Sequence, residues 1–293
     1  MYKKIVVPLD GSNLSAGVLP HVRWLARSLN VPVELMYVND RARLAPHSAT
    51  IQSVEYLGKT AESFSGTSVK CSVEEGKPAE RIIEAASAEP GSLVAMATHG
   101  YSGAVRWLLR SVAEKVLRAL TSDLLLVRPQ GANGNSAVEL KSVLVPLDRS
   151  QPAEMVLPTA SALAQLLDLE VLLVHVTKRI YTAPPDAFLP VFGSIPNLKE
   201  LWEQDKAVAN KYLTEKVDQL RAQGLTNLSS KVIEGGIDGA AAEIIDAAQK
   251  ISGSVIAMTR HGQTSIGRWL IGSITDRVVR HSSTPILVVR PQE

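Results

Sequence analysis

Val7-Pro8-Leu9-Asp10 returns as Val145-Pro146-Leu147-Asp148, 138 residues later in the same chain. Leu19-Pro20 and Leu157-Pro158 keep that spacing, as do the apolar runs 33–38 and 171–176. Toward the end of each half the spacing widens to 162: Arg106-Trp107-Leu108 matches Arg268-Trp269-Leu270, and Val127-Arg128-Pro129-Gln130 matches Val289-Arg290-Pro291-Gln292. Matched peptides at both ends of two halves mark a duplication, so one fold must serve twice. The second copy is 24 residues longer. Aligning Glu75-Gly76 with Gly235-Gly236, at an offset of 160, puts about 22 of these between Val176 and Lys231 and two before Ile244. The small, polar stretch Gly131-Ala132-Asn133-Gly134-Asn135-Ser136 suits a flexible connection. The expected division is a first domain over 1–130, a linker over 131–138, and a second domain over 139–293 with an insertion around 178–202.

Periodicity sets the fold class of each copy. Lys4 to Leu9 is a short apolar run rich in β-branched residues, the pattern of a buried strand. Ser12 can cap a helix whose apolar positions Leu14, Val18, Val22, Leu25 and Leu29 recur at helical spacing. Further strands are expected at 33–38, 69–73, 93–97 and 124–127, and helices at 53–65, from Pro78, and at 112–120. Strands alternating with helices give an α/β domain. The expectation is two tandem, doubly wound, parallel five-stranded sheets with helices on both faces. Ligands of such sheets bind beyond the carboxyl ends of the strands, where the strand order reverses.

Composition narrows the function classes. Lys plus Arg, 31, nearly balances Asp plus Glu, 29, and neither half carries the positive field of a nucleic-acid binder. No run approaches the roughly 20 apolar residues of a membrane span. The first strand begins at Lys4, which leaves no room for a signal peptide, and the chain has one cysteine, Cys71. These features point to the cytoplasm, with no nucleic-acid or membrane partner.

The loops after the fourth strands carry the chemistry. The second copy reads Thr259-Arg260-His261-Gly262, nine residues, then Gly272-Ser273 at the start of a helix. Glycines let a backbone approach phosphate oxygens closely, and a helix N-terminus offers unpaired N–H groups and a partial positive charge. Ser273 can add a hydroxyl donor, and Arg260 and Arg268 flank the loop, either neutralising phosphate charge or simply solvated. The same glycines equally serve a loop that only turns the chain. Asp10 and Asp148, just after the first strand of each copy, can face a ligand or its Mg²⁺, or brace a helix start.

With Val6-Val7-Pro8-Leu9-Asp10-Gly11-Ser12, Tyr37-Val38, His175-Val176, Gly272-Ser273-Ile274-Thr275 and Pro285-Ile286-Leu287-Val288-Val289-Arg290, the chain resembles the universal stress protein family over both repeats. That resemblance implies an adenine nucleotide alpha hydrolase-like fold. Nucleotide-binding members carry G-x-x-G, nine residues, G-[ST] at this loop. It also implies ATP as ligand, with Asp10 and Asp148 beside the adenosine, the Val38 and Val176 backbones meeting adenine, and the glycine loop and serine holding ribose and phosphates. Candidate contacts in the second repeat are therefore Pro146, Asp148, Val176, Thr259, Arg260, His261, Gly262, Gly272, Ser273 and Ile274. In the first repeat they are Pro8, Asp10, Val38, Ala97, His99, Gly100, Ser111 and Val112. The first repeat departs from the motif twice, at Ala97 and Arg110, and the second once, at Thr259, so the second is the better ATP site.

No Walker loop, no G-x-G-x-x-G after the first strand, and no nucleophile-and-base constellation can be read from the chain. The leading expectation is a nucleotide-dependent stress regulator or sensor, not an enzyme; the alternatives are a dimerising scaffold without nucleotide, or a slow ATPase. The last strands, 124–127 and 286–289, would be apolar edges in isolated domains. They are expected to pair antiparallel within the chain, giving a pseudo-twofold unit, a homodimer being the other arrangement. The aromatic, proline-rich insertion from Arg179 to Trp202 is expected to pack as a lid beside the second site or as a contact between chains, or else as a loop over its own helix.

Overall fold

A computed structural model describes residues 1–40, 48–98, 112–129, 138–177, 198–260, 262 and 271–290. The first repeat runs β1 (Lys4–Leu9), α1 (Asn13–Ala16), α2 (Leu19–Leu29), β2 (Val33–Asn39), α3 (Ser48–Ala61), β3 (Val69–Glu75), α4 (Pro78–Ser87), β4 (Ser92–Ala97), α5 (Val112–Ala119) and β5 (Asp123–Val127). The second runs β6 (Ser142–Pro146), α6 (Gln151–Glu154), α7 (Leu157–Leu167), β7 (Glu170–Thr177), α8 (Leu198–Ala222), β8 (Leu228–Glu234), α9 (Ala240–Gln249), β9 (Ser254–Thr259), α10 (Ser273–His281) and β10 (Ile286–Val289).

All ten strands form one sheet in the order β3-β2-β1-β4-β5-β10-β9-β6-β7-β8. Within each repeat every pairing is parallel. The repeats meet through the expected antiparallel pairing, with Leu126 opposite Ile286, Leu125 opposite Leu287 and Leu124 opposite Val288. This joint removes two apolar edges at once. It also sets the carboxyl ends of one repeat's strands against the amino ends of the other's, so the two candidate sites open at opposite margins of the sheet.

Side chains alternate across the pleat, and the core divides accordingly. Ile5, Val7, Leu125, Val143 and Leu287 face one side, where α2, α3, α7 and α8 cover them. Val6, Leu124, Leu126, Leu144 and Ile286 face the other, beneath α4, α5, α9 and α10. Each apolar layer runs through both repeats without a break at the joint.

Four expectations need correction. The helix expected from Ser12 through Leu29 is two helices: α1 ends at Gly17, and α2 starts at Leu19. Pro20 has no N–H and would collide with the preceding turn, so it is tolerated only where a helix begins. The helix expected at 53–65 is shifted to 48–61, because Ser63 Oγ donates to Thr60 O at 2.7 Å and the chain turns through Gly66 at φ +73°. The register places Glu75 opposite Asn39 and Glu234 opposite Thr177, an offset of 159 rather than 160. Three extra residues therefore follow β8; Gly235 and Gly236 had offered Gly76 two alignments, and only the ladder chooses between them. Finally, Leu198–Trp202 of the expected aromatic insertion opens α8, which is 25 residues long against 14 for its counterpart α3. Residues 178–197, and with them the lid expectation, lie outside the described residues.

Candidate functional site

In each repeat the strand order reverses between the first and fourth strands, β1 and β4 in one copy, β6 and β9 in the other. Pro8, in β1, and Pro146, the last residue of β6, lead into the turns that carry Asp10 and Asp148. Asp10 Oδ1 accepts from Ser12 N at 3.0 Å and from Ser12 Oγ at 2.6 Å. Asp148 Oδ1 accepts from Ser150 N at 3.0 Å and from the Ser150 hydroxyl. Each serine in turn caps its helix, Ser12 accepting from Ser15 N and Ser150 from Ala153 N. One carboxylate oxygen thus braces the turn. The other oxygen of Asp148 points across the crevice: a Cβ on Gly262 would stand 2.5 Å from Asp148 Oδ2. A side chain at 262 would have to push the Asp148 carboxylate aside, so aspartate and loop stand close together here.

β7 outlasts its neighbour β6, and this frees backbone groups at the crevice. Leu147 N donates to Val174 O at 2.8 Å, so Val174 turns its polar groups toward β6. Two residues on, Val176 turns its own the same way, past the end of β6. Beside it His175 is buried and makes a 2.7 Å bond to Leu147 O. A carbonyl only accepts, so Nδ1 carries the proton; burial holds the imidazole below its ordinary pKa. Tyr37, its counterpart in the first repeat next to Val38, donates from its hydroxyl to Asp10 O at 3.3 Å. In both copies an aromatic residue of the second strand fixes the turn that carries the aspartate.

The far wall is the start of α10. Gly272 is its N-cap and supplies no capping side chain. The first-turn N–H groups of Ser273 and Ile274 lie at the positive end of the helix macrodipole. Thr259 departs from the glycine of the motif, but its side chain is buried at the end of β9. Its carbonyl accepts from Thr275 Oγ1 at 3.0 Å, which braces α10 from below. Ala97 is likewise buried at the end of β4, and Val112 begins α5. His99, Gly100, Ser111 and His261 lie outside the described residues.

One candidate is placed elsewhere. Arg260 was expected to offer its charge to phosphate, yet it is 2% exposed. Its Nη1 donates to Leu117 O at 2.8 Å and to Arg118 O, in the last turn of α5 of the other repeat. The guanidinium is instead drawn under the sheet joint by helix C-terminal carbonyls.

Arg149 is a feature the repeat alignment could have exposed. It occupies the place of Gly11, and both are left-handed, at φ +68° and +81°. Its Nη2 donates to Asp205 of α8 at 3.0 Å. A non-glycine residue there stores strain. Arg149→Gly should leave stability within about 1 kcal/mol, since relief of strain offsets the lost ion pair and the added chain entropy. Arg149→Val, β-branched at positive φ, should cost roughly 1–2 kcal/mol. Urea denaturation of the two variants distinguishes these outcomes.

No helix among the described residues is long and apolar enough to cross a membrane. The family model described as the universal stress protein family matches twice, over residues 1–128 and 139–290. A universal stress protein of Methanocaldococcus jannaschii is 30% identical over 142 residues, covering 44% of this chain and 83% of that protein. One of Mycolicibacterium smegmatis is 21% identical, over 98% of this chain and 97% of its own. The crystal structure of a universal stress protein from Archaeoglobus fulgidus covers both chains fully, with a TM-score of 0.70 at 19% identity. With the strand order, the duplicated turns and two full-length matches in agreement, the chain belongs to the universal stress protein family and carries two of its domains in tandem.

Proposed function

We propose that the second repeat binds ATP in the crevice between β6 and β9, and that the chain acts as a nucleotide-dependent regulator or sensor in a stress response. The observation that supports this most is the close approach of Asp148 to Gly262 beside the uncapped start of α10. The backbone of Val176 matches a donor–acceptor edge such as adenine presents. Asp148 suits the hydroxyls of a ribose. Gly262, Gly272 and the N–H groups of Ser273 and Ile274 suit phosphate oxygens, which a helix N-terminus attracts. Mg²⁺ would come with the phosphates. The first repeat offers Asp10, Val38 and the start of α5, with two departures in its loop, and is the weaker site.

The test is whether the purified chain retains an adenine nucleotide that heat releases and chromatography identifies. Calorimetric titration with ATP then gives the affinity. Gly272→Arg, which copies Arg110 of the first repeat, should weaken binding about tenfold or more, or 1.4 kcal/mol, with the fold intact. Unchanged affinity would remove the phosphate-loop reading. A chain that neither retains nor binds nucleotide would be a scaffold of paired repeats.

A further inference from the structure

The helices that leave the two candidate loops are each held at the far end by an arginine of the opposite repeat. Arg128, just after β5, donates from Nη1 to His281 O at 3.3 Å and from Nη2 to Arg280 O, at the C-terminus of α10. Arg260, just after β9, donates to Leu117 O and Arg118 O in the last turn of α5. Positive charge at a helix C-terminus is stabilising, and each clamp crosses the joint between repeats. The helices also carry matched internal pairs, Arg118 with Glu114 and Arg280 with Asp276, and the Glu114 carboxylate acts on Arg280 across the joint.

Arg260 also makes a contact at its own loop. Its carbonyl accepts from Gly272 N at 2.8 Å, so its backbone holds the start of α10 while its side chain holds the end of α5. It is buried, and its Nε and Nη2 find no hydrogen-bond partner among the described residues. A buried guanidinium with unmet donors is costly, so its position is tied closely to the carbonyls it does reach. A single residue thereby connects the N-cap at one candidate phosphate loop to the helix that begins at the other.

We infer that the two crevices are coupled through Arg260, and that a nucleotide at the second repeat orders α5 and favours a nucleotide at the first. This rests on the nucleotide reading above. A ligand that draws the first turn of α10 toward itself fixes Gly272, and with it the carbonyl and the guanidinium of Arg260. The last turn of α5 is then already ordered when a second nucleotide arrives, and that nucleotide loses less conformational entropy on binding.

Amide hydrogen exchange of the full chain, with and without ATP, tests the coupling. Without nucleotide, Arg260→Met should speed exchange of the last-turn amides of α5 and also of the Gly272 amide, whose acceptor is untouched by the substitution. With saturating ATP, the wild-type chain should protect residues 117–120 by about fivefold, the lower end of ordinary coupling between sites. Arg260→Met should lose that protection while still binding ATP. At an ATP concentration that fills the second site of the wild type but not that of Gly272→Arg, the Gly272→Arg chain should lose it as well. Gly272 exchange unaltered in Arg260→Met, or α5 unaltered by ATP in the wild type, overturns the inference. So does protection that persists in Gly272→Arg, which would trace it to the first repeat's own site. If calorimetry finds no ATP binding, the nucleotide reading fails by itself, and the exchange of Gly272 in Arg260→Met still decides the linkage. Should Arg260→Met not fold, Arg260→Lys keeps the charge, loses the two-carbonyl reach, and serves the same comparison.

Discussion

Replacing Asp123 by alanine is expected to lower the unfolding free energy of the whole chain by roughly 3 kcal/mol, in a single transition. Asp123 opens β5 at the joint between repeats. One carboxylate oxygen accepts from the backbone N of Arg290, beyond β10, at 2.7 Å; the other accepts from the hydroxyl of Tyr2, ahead of β1, at 2.8 Å. Alanine removes both bonds, and hydrogen bonds to a charged acceptor are each worth about 1.5–3 kcal/mol. The transition should stay single because both apolar layers run through the joint. Urea titration followed by far-UV circular dichroism checks both points. Two separated transitions in the wild type would show that the repeats unfold independently, and a loss under 1 kcal/mol in Asp123→Ala would show that the joint does not depend on this carboxylate.

Acidification from pH 6.5 to 4 is expected to remove roughly 3 kcal/mol of stability through His21. This residue of α2 lines an open groove with Leu140, Ile251 and Pro285 of the second repeat, and its buried Nδ1 has no hydrogen-bond partner among the described residues. Burial pushes its pKa down from 6.5 to about 4. Between those values the unfolded chain takes up a proton that the folded chain refuses. The contribution is therefore complete above 6.5, declines as pH falls, and levels off below about 4. Asp123 acts in the opposite sense. Burial raises its carboxyl pKa, so its contribution is fullest below 3.8 and declines as pH rises through the folded value. Comparing wild type with His21→Leu by urea denaturation at several pH values isolates the histidine. The variant should show a flatter profile over this window; parallel profiles would assign the acid sensitivity to other groups.

The duplication made the joint legible before any coordinates. Two copies of an α/β unit, each ending in an apolar strand, left two edges of matching character, and β5 with β10 is the pairing that hides both. The turns after β1, β4, β6 and β9 were placed for the same reason: parallel α/β topology directs them to the strand-order reversals, where Asp148 and Gly262 meet. The direction of Arg260 was not legible. Its place in the chain said loop, and nothing local to it announced that the end of α5, 143 residues away, would present two carbonyls within reach.

The repeat and the alternation of strands and helices follow from the chain order alone, because hydrophobic period and glycine placement are local properties that each half states twice. The start of α2 at Leu19, the offset of 159 at β8, the strained turn at Arg149 and the use of arginines as clamps between repeats come from the packed fold. Each depends on what a backbone group or charge meets across the fold. A guanidinium written beside a glycine loop serves phosphate or a distant helix end according to which acceptor the packed chain brings nearer.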